Sequence, residues 1–126
     1  MGLLLDTNIV IELIENRLDD ELRGRLLAAS TGLHVSVASL WEIAIKVRLG
    51  KLPLIAPLQS LPELIQSVGL SLLAIKPSHV LTVATPEPAT RDPFDRLLLA
   101  QCMIEDFQLV TLDRVLASHP LAWEHF

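Results

Sequence analysis

At 126 residues the chain has the length of one domain, enough to bury roughly 65–70% of its unfolded surface without disulfide or metal staples. Apolar residues make up 51% but aromatics only 4%, and this aliphatic mixture suits helices packed on a buried parallel sheet. The single cysteine, Cys102, excludes an internal disulfide framework and a Cys-based zinc site, and fits a reducing, cytoplasmic compartment. A net charge of −5, taken alone, argues against nucleic-acid binding, because phosphate binders are usually basic, unless bound cations offset the acids locally.

Gly2–Leu5 is a short apolar run ending at Asp6, and reads as a buried first strand. It is too short for a signal peptide or a membrane span. Asp6 also stands where a myristoylation signal wants Ser or Thr. Thr7-Asn8 opens an amphipathic helix through about Asn16. A second helix runs from Asp19 or Asp20 to Thr31 and stops at Gly32. Leu33–Val37 is the next strand. The spacing of Ser39-Leu40-Trp41-Glu42 predicts a capping box opening a helix over Leu40–Leu49. Lys51–Pro57 is a loop, and Leu58–Val68 a helix whose start is limited by Pro62.

Leu70–Ile75 is a third strand, followed by a short helix from Pro77 to about Ala84. The prolines Pro86 and Pro88 make Thr85–Arg91 an exposed loop. Asp92-Pro93 fits a cap with proline at the first helical position, and that helix runs to about Asp106. Gln108–Leu112 is a fourth strand. Asp113 starts one more short helix, and Leu121–Trp123 is a candidate fifth strand. Strands alternating with helices argue an α/β fold with a parallel sheet covered on both faces. Right-handed crossovers then bring all strand C-terminal ends to one edge, where ligands of open α/β sheets bind.

Four acids fall at that edge: Asp6, Glu42, Asp95 and Asp113. Each alone has a simple account, because carboxylates satisfy the free N–H groups of helix starts. Asp92 reads chiefly as such a cap. Together they read differently. Asp6 and Asp113 follow apolar strands, while Glu42 and Asp95 sit among bulky apolar neighbours, where an unpartnered charge is costly. A hard divalent cation, Mg²⁺ or Mn²⁺, would offset all four, and such an ion supports phosphodiester hydrolysis. Lys46, Arg48 and Lys51, and separately Arg91 and Arg96, are small basic groups that either flank this edge or belong to a solvated face. His34, His79, His119 and His125 lack metal-ligand spacing and read as structural or surface residues. Cys102 lies in an apolar helical stretch and reads as core. No nucleophile elbow, phosphate-binding loop or dinucleotide fingerprint is present.

Four stretches carry a resemblance: Leu4-Leu5-Asp6-Thr7-Asn8, Ser36-Val37-Ala38-Ser39-Leu40-Trp41-Glu42-Ile43, Asp92-Pro93-Phe94-Asp95-Arg96-Leu97-Leu98-Leu99-Ala100-Gln101 and Leu109-Val110-Thr111-Leu112-Asp113. In order and spacing the chain resembles a PIN domain, and within that family a VapC-type toxin ribonuclease, over essentially all of residues 1–126 as one domain. The resemblance implies a three-layer α/β/α sandwich around a short four- or five-stranded parallel sheet. It implies a Mg²⁺- or Mn²⁺-dependent endoribonuclease, the toxin of a type II toxin–antitoxin system. The metal ligands and catalytic acids would be Asp6, Glu42, Asp95 and Asp113. Thr7, Asn8, Ser39 and Thr111 would orient ligands or water, with Asp92 peripheral. The implied partners are RNA, a cognate antitoxin that blocks the site, and a second copy in a homodimer.

Two positions depart from the family pattern. Thr90 stands where many relatives carry His, and Leu116 where many carry an aromatic. A non-catalytic module that keeps the fold is the competing reading, motivated by the net acidity and by Thr90. A phosphoacceptor receiver domain fits poorly, because it wants adjacent acids after the first strand and here Thr7 and Asn8 follow Asp6.

Overall fold

The structure, a computed structural model, describes residues 2–29 and 31–124. The first strand, β1 (Gly2–Leu5), is buried along its whole length, as expected of a parallel strand covered on both faces. Helix α1 (Thr7–Ile14) starts directly after it, with Asp6 as its cap. The helix ends two residues before the expected Asn16, which takes a left-handed conformation (φ 56°). Helix α2 (Asp20–Ala28), capped by Asp19, is likewise shorter than its expected reach to Thr31.

Strand β2 (Gly32–Ser36) leads straight into α3 (Val37–Arg48). Here the expected capping box is corrected. The cap is Ser36, whose Oγ accepts the Ala38 N–H at 3.0 Å, so the helix begins three residues earlier than Leu40. Ser36 is the last residue of β2 paired to a neighbouring strand, and its hydroxyl takes over as pairing ends. Ser39 and Glu42 therefore lie inside the helix, free to serve the sheet edge.

A 3-10 turn (Leu58–Ser60) precedes α4 (Leu61–Ser67), with Pro62 in the first turn of α4. Strand β3 (Ser71–Leu73) is shorter than the apolar run that marks it. Helix α5 (Pro77–Leu81) follows. Helix α6 (Pro93–Glu105) is capped by Asp92 with Pro93 at its start, and Asp106 closes it in the left-handed region. Strand β4 (Phe107–Val110) and α7 (Arg114–Ala117), capped by Asp113, complete the regular elements. The candidate fifth strand is reduced to one parallel bridge between Ala122 and Leu109.

The sheet order is β3-β2-β1-β4, all parallel. The chain winds outward from β1 to β3, then crosses back to place β4 on the other side of β1. That reversal is the topological switch point, and it opens a crevice beyond the ends of β1 and β4. The Asp6 N–H donates to the Val110 carbonyl at 2.9 Å, so the two strands stay joined up to the crevice.

Alternation along β1 sends Leu3 and Leu5 to one face and Leu4 to the other. The first face is packed by Ile9, Val10, Leu22, Ile43 and Ile65 from α1, α2, α3 and α4. The second is packed by Leu98, Leu99, Cys102 and Leu116 from α6 and α7. This is the three-layer α/β/α arrangement. Cys102 is fully buried, and burial pushes its thiol up to about 12, which leaves it an inert core group.

The described histidines are structural. His34 stacks on Phe107 at 4.3 Å between ring centroids. Buried His79 accepts the Lys76 N–H at Nδ1, so its Nε2–H donates to Glu105 at 2.8 Å. His119 accepts the Leu121 N–H and donates to the Pro86 carbonyl. His125 lies outside the described residues. Among the described residues no helix is long and apolar enough to cross a membrane.

Candidate active site

The chain brings its acids toward this sheet edge from four elements: the end of β1, the body of α3, the first turn of α6 and the start of α7. Asp6 is the first residue past β1 and only 6% exposed. Its Oδ1 accepts the Thr7 N–H at 2.8 Å, and its Oδ2 accepts the Thr111 hydroxyl at 2.8 Å. Thr111 is the first residue past β4, so this bond spans the switch point. Burial raises the Asp6 carboxyl above its ordinary value. The Thr111 and Thr7 hydrogen bonds pull the other way, and the charges of Glu42 and Asp113 add to the rise.

Glu42 reaches the same edge from α3 and is 9% exposed. Buried Thr7 holds it: the Thr7 Oγ1 lies 2.7 Å from Glu42 Oε1 and 2.9 Å from Ser39 Oγ. A hydroxyl has one proton, and a carboxylate can only accept. Thr7 therefore donates to Glu42, and Ser39 donates to Thr7. Lys46, one turn along α3, sits 3.1 Å from Glu42 Oε2. Of the basic group Lys46, Arg48 and Lys51, Lys46 thus meets one of the acids directly, and the i,i+4 spacing of Glu42 and Lys46 was a readable signal for it.

Removing the Thr7 hydroxyl has a defined consequence. Thr7→Val keeps the shape but leaves Glu42 Oε1 short of a donor in a buried setting. A loss of about 1.5–3 kcal/mol is expected in denaturant melts, and Thr7→Ser should recover most of it.

Asp95 sits in the first turn of α6, half-buried. Its carboxyl is pushed up to about 7 from the ordinary 3.8. Burial is the largest cause, followed by the charges of Asp92, Asp6, Glu42 and Asp113. Asp95 thus feels all three of the other site acids. Its Oδ2 lies 3.4 Å from the Thr90 hydroxyl, which also accepts the Asp92 N–H at 3.2 Å. Thr90, marked in the sequence only as a departure, is therefore a polar neighbour of Asp95.

Asp113 is exposed. Its Oδ1 caps the Val115 and Leu116 N–H groups at 2.8 and 3.1 Å, and its own N–H donates to Thr111 Oγ1 at 3.0 Å. Thr111 so ties Asp113 to Asp6. Leu116 is fully buried in the second core cluster, so α7 is anchored without an aromatic there. Asp92 is exposed and accepts the Phe94 and Asp95 N–H groups, the cap expected of it.

A cleft of about 390 Å³ opens at this edge, lined by Asp6, Asn8, Glu12, Arg17, Leu52 and Asp113 among others. Glu42 and Asp95 are not on its wall. Arg96, grouped in sequence with a basic flank, instead donates to the carbonyls of Thr90 and Pro88 at 2.7 and 3.0 Å, bracing the Thr85–Arg91 loop.

Among the described residues no three Asp, Glu, His or Cys side chains form a ready-made metal cage. Magnesium does not need one, because it keeps several waters and is held through one or two carboxylates. An all-oxygen donor set, with Asp6 and Asp95 raised chiefly by burial and further by neighbouring carboxylates, fits a hard cation and not zinc.

This fold, with acids gathered at the β1–β4 switch point, defines the class. The chain belongs to the PIN domain family, which it matches over residues 3–120. It is similar to the ribonuclease VapC22 of Mycobacterium tuberculosis (strain ATCC 25618 / H37Rv), at 41% identity over 69 residues. That match covers 54% of this chain, and the chain spans about half (49%) of the relative's length.

Proposed function

We propose that this protein is a metal-dependent endoribonuclease, acting through a single PIN-like domain over residues 1–126 as the toxin of a type II toxin–antitoxin system. The observation that carries the reading is the crevice itself. Asp6, Glu42, Asp95 and Asp113 arrive from separate elements, and buried hydroxyls of Thr7, Ser39 and Thr111 are spent on orienting the first two. A fold that needed only helix caps would have no use for that arrangement. The name of the VapC22 relative, a ribonuclease, supports it.

Asp6 and Asp95 would hold Mg²⁺ or Mn²⁺ most directly, with Glu42 and Asp113 completing the shell. Such an ion, when bound, supplies the charge that activates water and steadies a leaving oxygen. Thr111 fixes Asp6 so that its carboxylate keeps one orientation, and Thr7 does the same for Glu42. Asn8, exposed on the cleft, is placed to meet substrate, and Arg17 is the cation on the cleft wall. Both can contact RNA without displacing the acids.

In a cytoplasmic setting the acidic crevice also suits inhibition by an Arg or Lys of an antitoxin protein, through ion pairing in a partly dry cleft. A homodimer is the assembly this reading carries. The test is cleavage of single-stranded RNA by the purified protein with Mg²⁺ or Mn²⁺, with and without excess chelator. Cleavage that persists in chelator sinks the proposal. If the antitoxin reading is right, replacing the partner's basic residue restores cleavage.

A second reading, a non-catalytic interaction module, draws on two contacts: Lys46 already neutralises part of Glu42, and Asp113 is engaged as a cap. A calorimetric Mg²⁺ titration near neutral pH separates the two. Measurable binding favours the enzyme.

A further inference from the structure

Trp41 is 61% exposed although it is one of only two tryptophans in the chain. It precedes Glu42 on α3. Its indole meets Phe94 edge-on, with ring centroids 5.5 Å apart and planes at 72°. Phe94 in turn precedes Asp95 on α6. Consecutive helix residues lie about 100° apart around the axis. Each aromatic thus sits one residue before a candidate acid, within about one helical step of it, and the pair joins helices that pack against each other as an exposed shelf. The protein makes no internal use of most of that indole surface.

We infer that Trp41, steadied by Phe94, is a stacking platform for an unpaired nucleobase next to the scissile phosphate, and so selects single-stranded RNA. This rests on the ribonuclease reading and deepens it. The charge balance favours this occupant. With a net charge of −5, Lys46 paired to Glu42, Arg17 on the cleft wall paired to Glu15, and Arg96 bracing a loop, the protein has reduced positive charge with which to hold a phosphate backbone. Stacking on a π-face works without charge and accepts any base. A base inside a duplex has both faces covered by its neighbours and cannot reach the shelf. A second copy of the chain is the rival occupant, and the experiment separates the two.

The test compares wild type, Trp41→Ala and Trp41→Phe on a short single-stranded oligoribonucleotide, and on the same strand annealed to its complement. Trp41→Ala is expected to raise KM about tenfold or more while kcat changes less than about twofold. Trp41→Phe should keep most of the affinity. In a Trp123→Phe, Asp95→Asn protein, whose one remaining indole is Trp41, the single strand should quench fluorescence on binding and the duplex should not. An unchanged KM in Trp41→Ala, or binding without quenching, overturns the inference while leaving the ribonuclease reading intact. Conversion of a dimer to a monomer by Trp41→Ala with KM unchanged also overturns it and assigns the shelf to a second copy. A wild type that does not cleave, with no quenching in the Trp123→Phe, Asp95→Asn protein, overturns both readings; quenching there without wild-type cleavage overturns the ribonuclease reading and, with it, the placement beside a scissile phosphate.

Discussion

Asp95→Asn is expected to lower RNA cleavage about 100-fold or more, yet to leave the metal-free protein at pH 8 at least as stable as the wild type. The two effects share one cause. Asp95 is half-buried and faces the charges of Asp92, Asp6, Glu42 and Asp113, which together with burial push its carboxyl to about 7. At pH 8 it is largely ionised against that opposition. Asparagine keeps the shape and can still accept from Thr90, but it carries no charge to be repelled, and none to offer a cation. Asp6→Ala makes the contrast. It loses the cap on Thr7 and the link to Thr111, so it should lose activity and also about 1–2 kcal/mol of stability. Thermal melts of both variants in chelator, beside cleavage assays in Mg²⁺, check the pair. Full activity in Asp95→Asn, or a clear fall in its melting temperature, would contradict the account.

Mg²⁺ is expected to stabilise the protein strongly at pH 8 and hardly at all at pH 5. The sign follows from the direction of the Asp95 shift. Its folded pKa is raised above the ordinary 3.8 to about 7, so the folded state holds the proton more tightly than the unfolded chain. The stability this contributes is fully present below about pH 4 and is lost as pH rises through 7. The raised Asp6 acts in the same direction. A cation needs the ionised carboxylates, so its binding grows across the same window. At a concentration of about 100 times its Kd, Mg²⁺ should add roughly 2.7 kcal/mol. Glu105 has the opposite sign. Its carboxyl is held below the ordinary 4.5 by His79 and Lys76, so its contribution is lost only as pH falls below that value. Melting curves with and without Mg²⁺ from pH 5 to 8 therefore read the site and not the Glu105 contact. A metal-induced shift of equal size at both ends would count against carboxylate ligation.

The four strands and the parallel α/β class were legible because buried parallel strands leave unbroken apolar runs, as at Gly2–Leu5 and Phe107–Val110. The caps of α2, α6 and α7 were legible because Asp19, Asp92 and Asp113 satisfy local donors within three residues. Where a cap competes with another cap nearby, local reading fails. Ser36 and Ser39 both precede the apolar run of α3, and only the end of β2 pairing decides for Ser36. Strand ends are similarly set by neighbours: Leu70 and Ala74 are as apolar as Leu72, but β2 offers partners to Ser71–Leu73 alone.

By itself the sequence determined which residues bear charge and which stretches are apolar, and hence the identity of the four candidate acids. Only the tertiary structure decided how those acids are held. The Thr111–Asp6 bond joins residues 105 apart in sequence, and the Ser39–Thr7–Glu42 chain joins α1 to α3. It also decided that Lys46 tempers Glu42, that Arg96 braces a loop, and that Trp41 stands open beside the acids. The reason is physical. Burial and mutual charge depend on which elements the sheet topology brings together, and no local window of sequence contains that information.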